Sequence, residues 1–365
     1  MLCPESRAGT GLITFGRANP ERRGPIPKRQ QMNPDTTPQF AIPQAVQFAR
    51  EIFGLSATAA ALPSERDQNF LLATAAGEKY VLKIAKSDEE RAVVEFQNAL
   101  LRHVAERAPG LALPRVRPTR DGEEMTQVRD RRGAPYFVRL IGWLEGQMLA
   151  EALPHADALL ASLGAMMGKL DRALQGFSHP AMHRELLWDV RHAGRALEHL
   201  PLLPPLQQAV IRKFMAAWRG IGWSDLRHSV IHGDANDYNV LVRDGLVAGV
   251  IDFGDIVHSA VVCDLAIAVA YAMLDKPRPL EAAAIIVRTY HEQFPLTAAE
   301  LDALYPLITA RLCMSLCYAA YNARAKSGDA YQQVTAAPGW NLLLQLAAIP
   351  PELALTTLRA ACDTN

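Results

Sequence analysis

A strand-rich island inside an otherwise helical C-terminal half constrains this chain more than any other feature. It reads His232-Gly233-Asp234, then Asn239 five residues after the aspartate, then Asp252-Phe253-Gly254. Two apolar runs, Val240-Leu241-Val242 and Val247 to Ile251, surround the turn Arg243-Asp244-Gly245, which predicts strands between the polar positions. Around the island, from Leu153 onward, helical periodicity dominates at 156–175, 206–219, 280–294, 298–325 and 340–347, separated by Pro and Gly breaks.

The first half has another rhythm. Residues Asn69 to Lys86 form a strand, a turn at Ala76-Gly77-Glu78 and a second strand, a hairpin in which Lys83 faces away from Leu82 and Ile84. Ser87 with Glu90 three residues later predicts a capping box. The helix it opens would carry an apolar stripe of Val93, Phe96, Leu100 and Val104, with Glu95 off that stripe. Further strands are expected at Arg115 to Thr119 and Tyr136 to Trp143. A chain of 365 residues is long enough for two lobes. The expected division is a disordered tail over 1–35, an α+β lobe with a small antiparallel sheet over 36–146, and a mainly helical lobe over 147–365.

Composition excludes some classes of partner. Lys plus Arg and Asp plus Glu are both 38, so no basic footprint for nucleic acid or an anionic membrane is present, and a small-molecule ligand fits better. Five cysteines without a CxxC pair read as reduced, cytoplasmic thiols. The tail lacks the apolar core of a secretory signal, and Met32 is an alternative start. The run Ile256 to Leu274 carries His258 and Asp264 and is too polar to span a membrane.

Taken singly, an aspartate in a turn is ordinarily a cap and a lysine on a strand a solvated edge. Taken in order, they match the needs of phosphoryl transfer: a carboxylate for the hydroxyl proton, hard oxygen ligands for magnesium, and a cation on the phosphates. Asp234 is the expected base, Asn239 and Asp252 the expected Mg2+ ligands, and Lys83 the expected contact to the α and β phosphates, held by Glu95. The rival reading is a nucleotide-binding regulator without catalysis. Three tempting features are set aside. Gly164 to Lys169 lacks the spacing of a phosphate-binding loop and reads as helix packing; His228 and His232 read as structural rather than as zinc ligands; Asp264 reads as a helix cap or a brace for the catalytic loop.

At these residues the chain resembles a known family. His232 to Asn239 and Ile251 to Asp255 look like the HGDxxxxN and IDFGD motifs of aminoglycoside phosphotransferases, choline kinases and homoserine kinases. DQNF (67–70), VEFQN (94–98), GKLDRALQGFSHP (168–180), HRELLWDV (183–190), HGDANDYNVL (232–241), RLCMSLCYAAY (311–321) and TAAPGW (335–340) are more specifically similar to the hydroxylysine kinase family. The resemblance implies a bilobal protein-kinase-like fold with a nucleotide between the lobes. Trp143 and Leu144 would offer hinge backbone groups to the base, and the donor would be GTP or ATP with Mg2+. It also implies a small hydroxylated amino acid or amine as acceptor: 5-hydroxylysine, with homoserine, choline or an aminoglycoside as alternatives. Asp255 would meet an ammonium group, Trp188 would wall the alkyl chain, and Arg184 or Arg311 would grip a carboxylate. The chain departs from protein kinases where Gly233 replaces the arginine of HRD and where Pro63 to Phe70 contains no glycine.

Overall fold

The structure is a computed structural model that describes residues 36–64, 67–325 and 332–363. The tail expected over 1–35 lies outside the described residues.

The first sheet is antiparallel in the order β1 (Ala57–Leu62), β2 (Gln68–Thr74), β3 (Lys79–Ile84), β6 (Pro135–Gly142), β4 (Val116–Arg117), with β5 (Thr126–Arg129) also paired to β6. Alternation along β2 and β3 buries Phe70, Leu72, Leu82 and Ile84 on one face. Helix α1 (Ile42–Phe53) covers that face with Ala45, Ala49 and Phe53, four residues apart. Helix α2 (Arg91–Arg107) instead turns Phe96, Leu100 and Val104 toward the main core of the molecule. It starts one turn later than the capping-box reading: Glu90 is its N-cap, and the Ser87 amide bonds Thr36 O at 2.9 Å. The chain leaves β6 at Gly142 and enters β7 (Gln147–Met148), so 143–146 connect the two sheets.

In the second part, β9 (Val240–Arg243) and β10 (Leu246–Val250) form the expected hairpin, and β7 pairs with β9. Asp244 and Gly245 both have positive φ, the geometry of a tight two-residue turn. A separate ribbon joins β8 (His228–Ile231) to β11 (Val257–Ala260). The Ile256 to Leu274 run resolves into β11 followed by α5 (Val262–Ala272), which is buried along nearly its whole length. Around these ribbons pack α3 (Asp157–Ala173), α4 (Pro205–Arg219), α6 (Pro279–Gln293), α7 (Ala298–Ala325), α8 (Gln332–Ala347) and α9 (Pro351–Ala360). Helix α7 is long and apolar enough to cross a membrane, yet 78% of its apolar window is buried in the protein. Gly164 and Gly168 lie where α3 meets α6, and a Cβ on Gly164 would stand 2.1 Å from Ile286 O. Close helix packing accounts for that glycine pair.

Candidate active site

Strand β8 delivers the chain to His232, whose backbone N–H donates to Asp264 Oδ2 at 2.7 Å, while the Gly233 N–H donates to Oδ1 at 2.7 Å. Asp264, on the first turn of α5, therefore braces the loop. The His232 ring accepts from the Asp234 amide at Nδ1 (3.2 Å) and donates from Nε2 to Ile251 O (3.0 Å). It thereby fastens the Asp234 loop to the segment that leads to Asp252. Gly233 has φ 77°, and a Cβ there would lie 2.5 Å from Asp255 O, so glycine is required by both conformation and space.

The Asp234 side chain accepts at Oδ2 from Asn236 Nδ2 (3.0 Å) and Asn239 Nδ2 (2.9 Å), and at Oδ1 from Arg311 at 2.7 Å. Asn239 O accepts from the Ile251 amide at 2.9 Å, which brings Asp252 beside it. Asp252 adopts φ 61°, a strained conformation for a non-glycine residue, and its side chain is 55% exposed. Lys83 Nζ reaches across from β3 to 3.8 Å from Asp252 Oδ1. Four expected site residues, Lys83, Asp234, Asn239 and Asp252, are thus brought together.

Glu95 is not among them. It lies on the outer side of α2 and pairs with Arg91 at 2.7 Å. The helix turns Gln97 and Asn98 inward instead, and both accept from Arg139, the residue opposite Lys83 in the β3–β6 register. The Arg139 guanidinium is fully buried, and burial holds its pKa below the ordinary arginine value. Asp67, Lys83, Glu89, Gln97 and Arg139 line one small polar cavity beneath the sheet. Sequence reasoning missed Arg139, because one arginine on a strand carries no local signal.

Arg311 and Trp188 also take other places than expected. Arg311, in the middle of α7, has no exposed side-chain surface and is committed to Asp234 and to Trp188 O at 2.9 Å. Trp188 is buried, with Arg311 4.8 Å from its ring centroid and Tyr318 packed edge-on at 4.9 Å, so it is a platform for the arginine rather than an open wall. Asp255 is buried and lines a small cavity with Trp188, Gly233 and Val257. Arg184 donates to Gly254 O at 3.0 Å, beside the Asp252 segment. At the connection, the Trp143 amide donates to Lys79 O at 3.1 Å, so a base contact from Trp143 would run through its carbonyl. The Leu144 side chain packs close against Gly249.

Beneath the loop lies a carboxyl pair the sequence did not expose. Asp171 on α3 sits beside Asp264 and accepts from Tyr290 OH at 2.6 Å. Burial first, then the Asp264 charge, raises its pKa well above the ordinary aspartate value; burial also raises Asp264, whose carboxyl receives the two loop amides.

Residues 58–306 match the model of the phosphotransferase enzyme family, APH. The chain belongs to that family. It is 30% identical over 349 residues to the hydroxylysine kinase of Mus musculus, covering 87% of this chain and 92% of the relative. It is 28% identical over 348 residues to the hydroxylysine kinase of Bos taurus, with the same coverage. Homoserine kinase of Methylobacillus flagellatus is 27% identical over 236 residues, 64% of this chain and 69% of that protein. Among solved structures, amicoumacin kinase bound to AMP-PNP, Ca2+ and amicoumacin superposes with a TM-score of 0.65 at 15% identity, covering 86% of this chain and 96% of that one. A microcompartment-associated aminopropanol kinase gives 0.65 at 20% identity, covering 88% and 99%. These two likenesses show the bilobal α+β fold of the phosphotransferases. The APH chain described here is a kinase that phosphorylates a hydroxyl group of a small molecule.

The donor set suits a hard cation such as magnesium. Asn239 gives its amide N–H to Asp234, which leaves its amide oxygen available to such an ion, and the exposed Asp252 carboxylate would offer a second oxygen.

Proposed function

We propose that this kinase transfers the γ-phosphoryl group of GTP or ATP to the side-chain hydroxyl of 5-hydroxylysine. The observation that carries the chemistry is the 3.8 Å approach of Lys83 to Asp252, next to a loop that presents Asp234 and Asn239 together. The match to hydroxylysine kinases along 87% of the chain supports the acceptor.

Asp234 takes the hydroxyl proton while the acceptor oxygen bonds to the γ-phosphorus. The bond from that phosphorus to the bridging oxygen breaks, the nucleoside diphosphate departs, and the proton passes from Asp234 to solvent. Lys83 meets the α and β phosphates as a point charge. Asn239 and Asp252 would hold magnesium, which when bound would supply neutralising charge on the phosphates. Trp143 and Leu144 flank the base. For the acceptor, Asp255 is assigned to an ammonium group and Arg184 to the α-carboxylate, because Arg311 is already committed to Asp234.

Incubating the protein with Mg2+, nucleotide and 5-hydroxylysine, then quantifying products by mass spectrometry, tests this. Equal amounts of O-phosphohydroxylysine and nucleoside diphosphate are expected. Diphosphate formed without phosphorylated amino acid would remove the acceptor assignment.

A further inference from the structure

We propose that Arg311 is a positioning residue for the base: it fixes the Asp234 carboxylate in its working rotamer from the side opposite the Asn239 contact. The inference rests on the reading of Asp234 as the proton acceptor. Arg311 makes three contacts with three different parts of the chain. One terminal nitrogen donates to Asp234 Oδ1 at 2.7 Å, the other to Trp188 O at 2.9 Å, and Nε approaches Tyr271 OH at 3.4 Å. Its guanidinium carbon lies 4.8 Å from the Trp188 ring centroid and 5.5 Å from the Tyr271 ring centroid. The guanidinium, carried on α7, is therefore held by the segment before Val190 and by α5 as it meets the Asp234 loop.

Stability alone gives a poor account of this placement. A buried ion pair is commonly matched or bettered by apolar side chains of similar volume, and α7 is apolar on both sides of Arg311, with Ile308, Ala310, Leu312 and Cys313 buried. What apolar residues would not provide is a fixed donor aimed at the carboxylate that must meet the acceptor hydroxyl. The Asn236 and Asn239 amides hold Oδ2, and Arg311 holds Oδ1, so the carboxylate plane is defined from both ends. A misplacement near one ångström at a reacting group costs about a hundredfold in rate.

A double-mutant cycle on the full chain tests this, with Arg311→Met, Asp234→Asn and the double variant at saturating Mg2+ and nucleotide. Arg311→Met is expected to lower kcat about a hundredfold, with nucleotide Kd and acceptor KM each kept within about threefold. In the double variant kcat should equal that of Asp234→Asn alone, because Arg311 then has no carboxylate to position. Losses that multiply would overturn the proposal by showing that Arg311 acts independently of Asp234. A raised acceptor KM with kcat intact would overturn it in favour of a substrate anchor. If Arg311→Met loses nucleotide binding through misfolding, Arg311→Lys decides: reduced kcat with nucleotide affinity retained supports positioning, and wild-type kcat overturns it. Wild-type turnover in Asp234→Asn would remove the base assignment itself, a failure distinct from multiplying losses.

Discussion

Replacing Asp234 by asparagine keeps the side chain's shape while removing the carboxylate proposed as proton acceptor. Turnover is expected to fall about a hundredfold or more, with nucleotide affinity retained in an equilibrium binding assay; near-normal kcat would contradict the role. Glu95→Ala should leave kcat/KM unchanged and shift stability by less than about 0.5 kcal/mol, since it removes only an exposed i,i+4 pair with Arg91. A large loss of nucleotide affinity in that variant would instead revive the Lys83–Glu95 pairing. The contrast shows how far single residues are legible. Lys83 could be read because strand alternation fixes its face, whereas Glu95 followed from motif order alone while the phase of α2 turns Gln97 and Asn98 inward. Arg311 did carry a signal, a lone cation within an apolar helical run, but its partner is set by tertiary packing that spacing does not encode.

Elements show the same division. The β2–β3 and β9–β10 hairpins were legible from turn chemistry, and the stripe of α2 from its period. Its start was not, because the Ser87 amide goes to Thr36, a contact with a preceding segment that local pattern cannot show. Strand β1, Ala57–Leu62, is mostly alanine, with Thr58 its one β-branched residue and no aromatic to mark a strand; pairing with β2 makes it one. The α3–α6 junction gives a stability prediction. Gly164→Ala puts a methyl group into the Ile286 backbone and should lower stability by about 1–3 kcal/mol, read as a reduced urea midpoint; an unchanged midpoint would contradict the close approach. Asp171 gives a pH prediction. Its folded pKa is raised, so its contribution to stability is present below the unfolded value of about 3.9 and is lost as pH rises toward the folded value. Asp171→Asn, which keeps a neutral amide beside Asp264, should therefore gain stability relative to the native chain as pH increases from acid to neutral. Parallel stability curves for the two proteins would show that Asp171 is ionised in the fold.

At the scale of the whole molecule, the site exists because one lysine from the antiparallel sheet meets a carboxylate from the helical part. Asp252→Ala removes both the partner of Lys83 and the assigned magnesium ligand, so Mg2+-dependent nucleotide affinity should be abolished; identical magnesium titrations for the two proteins would contradict it. The two-part architecture and the order of the chemical residues were legible in the sequence, since motif order survives any packing. The residues expected on the acceptor side were less so: Asp255, Trp188, Arg184 and Arg311 stand on separate segments whose partners only the fold reveals, and it engages Arg311 with Asp234 and Trp188 instead. The most direct test of the account is initial-rate kinetics with 5-hydroxylysine, homoserine, choline and kanamycin under identical Mg2+, with ATP and GTP in separate series. The highest kcat/KM is expected for 5-hydroxylysine, with lysine a poor competitor because it would leave hydroxyl-binding groups unmatched. A higher kcat/KM for homoserine or choline would contradict the hydroxylysine assignment, and no phosphorylation of any acceptor would contradict the catalytic reading of the site.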